Sequence, residues 1–191
     1  VLALPVSVPD CGWTTFSAPV PTTIPSGCNA YIVEGYNTSA STAMLKLLTP
    51  GTSIAENTGI LLAASPNSVV ELTITESGVV YTDNLLQSSI VTTKLPSGAN
   101  AFVLTSGDDK VLFSKVDSNN HSTLPHSSWL KLEGDVSAEN IQLSIFNQET
   151  GIKDCLNVCL FKLQHLKGRN QRFTIPGELK ATKGSLDFGR Q

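Results

Sequence analysis

Short apolar runs of four to seven residues, separated by clusters of Gly, Pro, Asn and Ser, most constrain what this chain can fold into. No segment keeps a helical spacing of apolar residues long enough to require a helix. In the central unit, residues 56–62, a polar turn leads straight into Ile60-Leu61-Leu62. Runs of this length bounded by turn residues are typical of strands, so the sequence predicts an all-β protein.

About ten segments qualify as strands. In one of them Val70, Leu72 and Ile74 alternate with polar residues, which predicts a half-buried antiparallel strand. Strands at this spacing without intervening helices favour an antiparallel two-sheet β-sandwich, with a jelly roll as one version of it. The predicted strands are 12–16, 30–36, 43–48, 56–62, 69–75, 79–81, 90–93, 101–105, 111–116, 129–132 and 141–145.

The clearest local prediction is a hairpin formed by residues 101–105 and 111–116. The connection reads Ser106-Gly107-Asp108-Asp109, and Gly107 can adopt the positive φ that short hairpin turns require. An alternative reading of Asp108 and Asp109 is a calcium site, but the further acidic residues of an EF-hand loop are missing. The hairpin turn is therefore the preferred interpretation.

The β domain is expected to span residues 11–146. Residues 1–10 contain Pro5 and Pro9, which favours an extended edge or lead-in segment because proline cannot donate to a sheet ladder. Residues 147–191 form a basic extension. This extension is interpreted either as a sorting or anchoring appendage or as a solvated terminus. The strand 30–36 is expected to be ended by Gly35 and by Asn37-Thr38-Ser39.

Composition limits the partners. The net charge is −3 with 15% charged residues, and no basic face for nucleic acid is visible. No apolar stretch approaches the ~18 residues of a membrane helix, so no transmembrane segment is expected. The low charge and the many Ser, Thr and Asn residues favour an exported protein, either secreted or at the cell surface.

The four cysteines, Cys11, Cys28, Cys155 and Cys159, permit several interpretations. Free buried thiols are favoured, a bridge between Cys11 and Cys28 is the second reading, and a metal site is the weakest. Within one straight strand Cys155 and Cys159 would lie about 13 Å apart, too far for a disulfide, whereas on one helical turn they could come close.

Catalytic chemistry has few candidate groups. The three histidines are His121, His126 and His165, and the first two lie in a loop rich in Ser and Pro. No serine lies in a G-x-S-x-G elbow. We therefore expect no catalytic residue, no cofactor and no metal.

Aromatic side chains are the candidate ligand contacts. Exposed rings can stack on sugars, whereas aromatics in strands are more often part of the core. Both interpretations stay open for Trp13, Tyr36, Tyr81 and Trp129.

The order of several short motifs resembles the β-rich modules near the C-termini of surface and secreted proteins of Bacteroides-type gut bacteria. The motifs are W-x-T-F at 13–16, A-Y-I-V at 30–33, T-G-I-L-L at 58–62, N-L-L at 84–86, A-F-V-L at 101–104 and W-L-K-L at 129–132. Thr150-Gly151-Ile152 fits the start of the terminal pattern of those modules, but residues 161–169 are stretched and 183–186 lack its tyrosine. The resemblance implies an extracytoplasmic, noncatalytic module for interaction or display.

The leading hypothesis is thus a noncatalytic module for adhesion or for contact with a host or bacterial surface protein or glycan. The alternatives are a carbohydrate-binding accessory domain of a glycan-degrading protein and a pilin-like subunit in which residues 1–10 act as a donated strand. The expected core residues are Phe16, Ile32, Leu61, Leu72, Phe102, Leu104, Phe113 and Leu143.

Overall fold

A computed structural model describes residues 2–95, 100–107, 110–116, 121–146 and 153–155. These residues form fourteen strands and no helix, which confirms the all-β prediction. The strands belong to two sheets, one of four strands and one of ten.

Sheet A is the smaller of the two. Its strands, in spatial order, are β1 (Ala3–Val8), β8 (Ser68–Ile74), β3 (Thr22–Thr23) and β6 (Ser53–Ile54), and all pairs are antiparallel. The predicted alternation in β8 is present, because Val70 and Leu72 are buried while Glu71 is exposed. The proline-flanked residues 3–8 thus form an edge strand of this sheet.

Sheet B contains the other ten strands. In spatial order they are β2 (Trp13–Phe16), β7 (Ile60–Ala63), β4 (Asn29–Asn37), β5 (Thr42–Leu48), β13 (Asn140–Phe146), β11 (Lys110–Lys115), β10 (Ala101–Gly107), β12 (Ser127–Lys131) and β9 (Leu86–Ser89). The tenth, β14 (Lys153–Cys155), pairs with β13 alongside β11. All pairs are antiparallel except β5 with β13, which is parallel.

The central strand β7 is buried on both faces, and this organises the two sheets. Leu61 and Ala63 point into the interior of sheet B, whereas Ile60 and Leu62 point outward to a second cluster beneath sheet A. All four residues are at most 1% exposed. A four-residue apolar run with no polar alternation is the pattern expected for a strand covered on both sides.

Sheet B curls into a nearly closed, barrel-like wall around its own core. Its two ends are joined by hydrogen bonds: Ser17 Oγ donates to the Ser127 carbonyl at 2.6 Å, and Ser128 Oγ donates to the Ile60 carbonyl at 3.2 Å. Two sheets are present as expected, but with one sheet enclosing its own core the fold is not clearly a sandwich.

Three local predictions were wrong. Gly35 does not end its strand; it lies inside β4 at a bulge where the register shifts between Val33 and Gly35. The strand does end at Asn37, the other predicted stop. Residues 79–81 form only one isolated bridge, between Val79 and Ile54. No strand forms at 90–93; β9 (Leu86–Ser89) precedes this segment, and residues 90 and 91 form a bend.

The predicted hairpin of β10 and β11 is confirmed, with Gly107 opposite Lys110. The glycine is not the turn residue, however, since Gly107 lies within β10 and its φ is outside the left-handed region. Outside the described residues lie Asp108 and Asp109, Cys159, His165, and residues 147–152 and 156–191 of the basic extension.

The predicted core is largely correct. Phe16, Ile32, Leu61, Leu72, Phe102, Phe113 and Leu143 are buried, and Leu104 is half-buried against the same interior cluster. Cys11 and Cys28 are free thiols, so the bridge between them is not formed. Cys28 is buried and Cys11 is partly buried, and they pack in different clusters.

Among the described residues, no helix has the length and apolar character needed to cross a membrane.

Candidate functional site

The four aromatic candidates do not share one surface. Trp13 is only 4% exposed and stacks on Tyr31, with ring centroids 5.5 Å apart and planes inclined by 22°. Its indole is therefore part of the interior core of sheet B and presents no face to a ligand. The interpretation of Trp13 as a core aromatic fits this position.

The other three aromatics are half-buried, and each packs against a different cluster. Tyr36 borders the interior of sheet B, Tyr81 borders the cluster beneath sheet A, and Trp129 borders a third cluster of Leu95, Ala101 and Val116. A sugar platform built from several stacked rings is therefore not formed by these side chains together. Of the three, only Trp129 lies on the part of sheet B that sheet A does not cover.

Sheet A covers only one half of the outside of sheet B. The cluster between the sheets contains residues of β2, β7, β4 and β5, and no residue that the structure describes in β9, β12, β10, β11 or β13. On these five strands the residues that alternate with the interior ones point outward. We call this surface the open face. Its outward residues include Gln87, Val103, Thr105, Leu112, Ser114, Trp129, Asn140 and Gln142, with Lys110 and Lys131 on the same side, whereas Ser89 and Ala101 also point outward but are buried.

The open face carries a row of side chains that crosses all five strands. Gln87 is opposite Trp129, and Ser114 is opposite both Val103 and Asn140. Between β12 and β10, the register of Ala101 with Lys131 places Val103 opposite Trp129. Four strand spacings separate the ends of the row, a length of about 19 Å.

Hydrogen bonds fix three polar side chains of the open face. Ser114 Oγ donates to Asn140 Oδ1 at 3.0 Å, and Thr105 Oγ1 lies 2.8 Å from Ser114 Oγ. Thr105 Oγ1 also donates to the Leu112 carbonyl at 3.4 Å. The result is a connected line of side chains across β10, β11 and β13.

The charged side chains that share the outward direction stand at the ends of strands. Lys110 is the first residue of β11 and Lys131 is the last residue of β12. Lys131 lies two residues from Trp129 on the same side of β12. The other eight outward residues named above are uncharged and combine one indole, two aliphatic side chains and five hydroxyl or amide groups.

The candidate acid, base and metal groups are dispersed in the part of the chain that the structure describes. His121 and His126 contribute backbone atoms to loops: the His121 carbonyl accepts from Leu95, and the His126 carbonyl accepts from Ser17. No three His, Cys, Asp or Glu side chains gather among the described residues as metal ligands would.

The free edge of β1 is a second exposed feature. The Leu2 carbonyl accepts from the Ile74 N–H at 2.9 Å. In an antiparallel pair, only every second residue forms hydrogen bonds with the partner strand. Because Leu2 forms one with Ile74, the backbone groups of Ala3, Pro5 and Ser7 face away from β8. Pro5 has no N–H to offer there, and an edge interrupted in this way resists pairing with another strand.

Sequence reasoning singled out Trp129 but missed the polar residues beside it. Their period-two spacing within 101–105, 111–116 and 141–145 was visible, yet their alignment depends on registers between strands far apart in the chain.

No protein-family model, curated protein or solved structure matches this chain.

Proposed function

We propose that this chain is a noncatalytic recognition module of a secreted or cell-surface protein, and that it binds its partner through the open face. The observation that carries this proposal is the asymmetry of sheet B. Sheet A buries one half of its outer surface, whereas the other half presents Trp129 within an ordered set of uncharged polar side chains.

The composition supports the extracytoplasmic setting. The chain has 15% charged residues and many Ser, Thr and Asn residues, as exported β proteins often do. The motif order that resembles the Bacteroides-type surface modules points to the same adhesion or display role. In such a module the binding groups stand on paired strands, which hold side chains more precisely than loops do.

A pilin-like, strand-donating subunit is less well supported. Residues 3–8 already pair with β8 of the same chain, and Val6 and Val8 are buried in the cluster beneath sheet A. The free edge of β1 also lacks a donor at Pro5.

The test is binding of the labelled chain to an array that carries both glycans and extracellular proteins. Ser114→Arg places a long cation in the middle of the open face, and Thr73→Arg places the same side chain on the outer face of sheet A. We expect Ser114→Arg to abolish binding and Thr73→Arg to leave it unchanged. Binding that survives Ser114→Arg, or no binding to any spot, would contradict the proposal.

A further inference from the structure

We propose that residues 90–95 and 121–126 form a flap that opens locally while both sheets stay folded, and that opening uncovers an apolar surface at Ala101, Val116 and Trp129. This inference does not depend on the proposed function, because it concerns a motion built into the fold and requires no ligand.

The flap is a ribbon of two antiparallel segments that lie outside the strands of both sheets. The Leu95 N–H donates to the His121 carbonyl and the Thr123 N–H donates to the Thr93 carbonyl, both at 2.9 Å. The Thr93 N–H in turn donates to Thr123 Oγ1 at 3.1 Å. Because these bonds join the two segments to each other and not to a sheet, the ribbon can separate from sheet B without breaking them.

The flap covers the outward side of sheet B at one end of the open face. Ser89 and Ala101 point outward there, yet they are 1% and 0% exposed. Leu95 of the flap packs with Ala101 and Val116 in the third cluster, and Trp129 packs against this cluster. Separation of the flap therefore exposes apolar side chains that belong to the sheet.

Few buried side chains hold the flap in place. Of its twelve residues, only Leu95 and Thr123 are buried, and Val91 and Leu124 are 68% and 76% exposed. Among the described residues, the third cluster contains three buried members, whereas the clusters inside sheet B and beneath sheet A contain sixteen and fifteen. Segments with little buried apolar surface open at a lower free energy than the core that supports them.

The closed flap also leaves one buried polar group unsatisfied. Ser89 Oγ is buried and has no hydrogen-bond partner in the part of the chain that the structure describes. A hydroxyl in this state destabilises the closed form, because it has lost its bonds to water without gaining others. Ser89 is the last residue of β9, directly before the flap, so opening lets water reach it. The Ser89 hydroxyl therefore favours the open form.

The experiment is amide hydrogen exchange of the folded chain, followed by NMR at increasing low concentrations of urea. The amides of Leu95 and Thr123 report opening of the flap. The amide of Gln142, which donates to the Ser41 carbonyl at 2.9 Å within β13, reports unfolding of sheet B. Relative to intrinsic rates, we expect the flap amides to exchange at least about tenfold faster than Gln142, with a weaker dependence on urea because less surface is exposed. Equal protection and equal urea dependence would overturn the proposal.

Two variants of the flap test what holds it closed. Leu95→Ala removes its large buried side chain and should speed exchange of the Thr123 amide by about 30-fold or more. Leu124→Ala makes the same change at an exposed position of the flap and should leave that rate unchanged. An unchanged rate in Leu95→Ala would contradict the proposal.

A variant of the core separates local opening from global unfolding. Ile32 is 1% exposed in the cluster beneath sheet A, and Ile32→Val is a mild change that keeps the chain folded. It should speed exchange of Gln142 by about two- to twelvefold and leave the flap amides of Leu95 and Thr123 unchanged, because Ile32 stays buried when the flap opens. Equal acceleration of Gln142 and the flap amides would mean that the flap opens only with the whole fold.

Ser89→Ala tests the cost of closure from the opposite direction. Loss of the unsatisfied hydroxyl should slow exchange of the Leu95 and Thr123 amides by about fivefold. Exchange that is unchanged or faster would show that the flap does not cover Ser89, and would overturn the proposal.

Tryptophan fluorescence tests the uncovered surface. The chain has two tryptophans, so Trp13→Phe leaves Trp129 as the only one. In this background, adding Leu95→Ala should increase the quenching of Trp129 fluorescence by acrylamide. Unchanged quenching would mean that the flap does not cover the Trp129 side chain.

Discussion

The side-chain amide of Asn84 donates to the Gly59 carbonyl at 2.7 Å, across the seam where sheet B closes. The Oδ1 atom of Asn84 also accepts from the backbone N–H of Val33 at 3.3 Å and of Leu86 at 3.1 Å. β4 pairs with β7 only as far as Tyr31, so Val33 needs another neighbour. The amide of Asn84 takes the place of a peptide group there, and the adjacent Leu85 N–H donates to the Val33 carbonyl at 2.8 Å.

Replacing Asn84 should weaken this closure. Asn84→Ala removes three hydrogen bonds and leaves backbone groups of Val33 and Gly59 without their partner, so we expect a loss of about 2 to 4 kcal/mol in the free energy of unfolding. Urea denaturation measures it. The matched variant Asn37→Ala removes one exposed bond, to Ala40, and should cost about 0.5 kcal/mol. If both variants lower the free energy of unfolding by the same amount, the bonds of Asn84 do not stabilise the contact that closes sheet B.

Gly59 is confined by the strands on the other side of the same seam. A Cβ atom at this position would lie 2.9 Å from Ser128 Cβ, 3.0 Å from Leu86 Cβ and 3.1 Å from the Leu86 carbonyl oxygen. Gly59→Ala must therefore push β9 and β12 away from β7, and we expect a loss of about 1 to 3 kcal/mol. Thermal and urea melts report this loss.

Gly27→Ala is the control for Gly59→Ala. Gly27 is exposed, and no heavy atom lies within 4 Å of the Cβ it would gain. Its variant should keep the stability of the parent chain to within about 0.5 kcal/mol. If Gly59→Ala melts as Gly27→Ala does, the close approach of β7 to β9 is not maintained in solution.

The sequence predicted most strands because apolar runs and turn residues are local signals. It also predicted the core residues, since Leu61 and Phe102 lie in short apolar runs bounded by turn residues, which favours strands. It did not predict that sheet B would close on itself, because closure depends on contacts such as Asn84 with Gly59, 25 residues apart. The open face was missed for the same reason: Ser114 and Asn140 are neighbours only through the pairing of β11 with β13.

The double burial of β7 gives a direct stability prediction. Leu61 is fully buried in the interior of sheet B, and Leu61→Ala leaves a cavity that its neighbours only partly fill. We expect a loss of about 2 to 5 kcal/mol in denaturant melts. Leu124 is 76% exposed, so the matched variant Leu124→Ala should change stability by at most about 0.5 kcal/mol. A loss below about 1 kcal/mol for Leu61→Ala would contradict the central position of β7.

Stability should fall in alkaline solution because two buried acids resist ionisation. Burial raises the pKa of the Cys28 thiol above its ordinary 9.0. Burial likewise raises the pKa of Tyr31 above its ordinary 10.0, against a smaller lowering by a hydrogen bond with Asn29. The unfolded chain therefore releases these protons at a lower pH than the folded chain does, and rising pH favours unfolding.

The sign and the pH window follow from these two shifts. The contribution of Cys28 to the free energy of unfolding is fully present below pH 9.0 and is lost as the pH rises toward the raised pKa of the folded thiol. The contribution of Tyr31 begins to fall near pH 10.0. Urea melts through this range measure the free energy of unfolding at each pH. It should decline less steeply with pH for Cys28→Ala above pH 9.0, and for Tyr31→Phe above pH 10.0, than for the parent chain. Each variant is compared with the parent chain by its slope, because Cys28→Ala also lowers stability at every pH through lost packing. Identical slopes in the parent chain and both variants would mean that neither side chain is buried in solution as the fold requires.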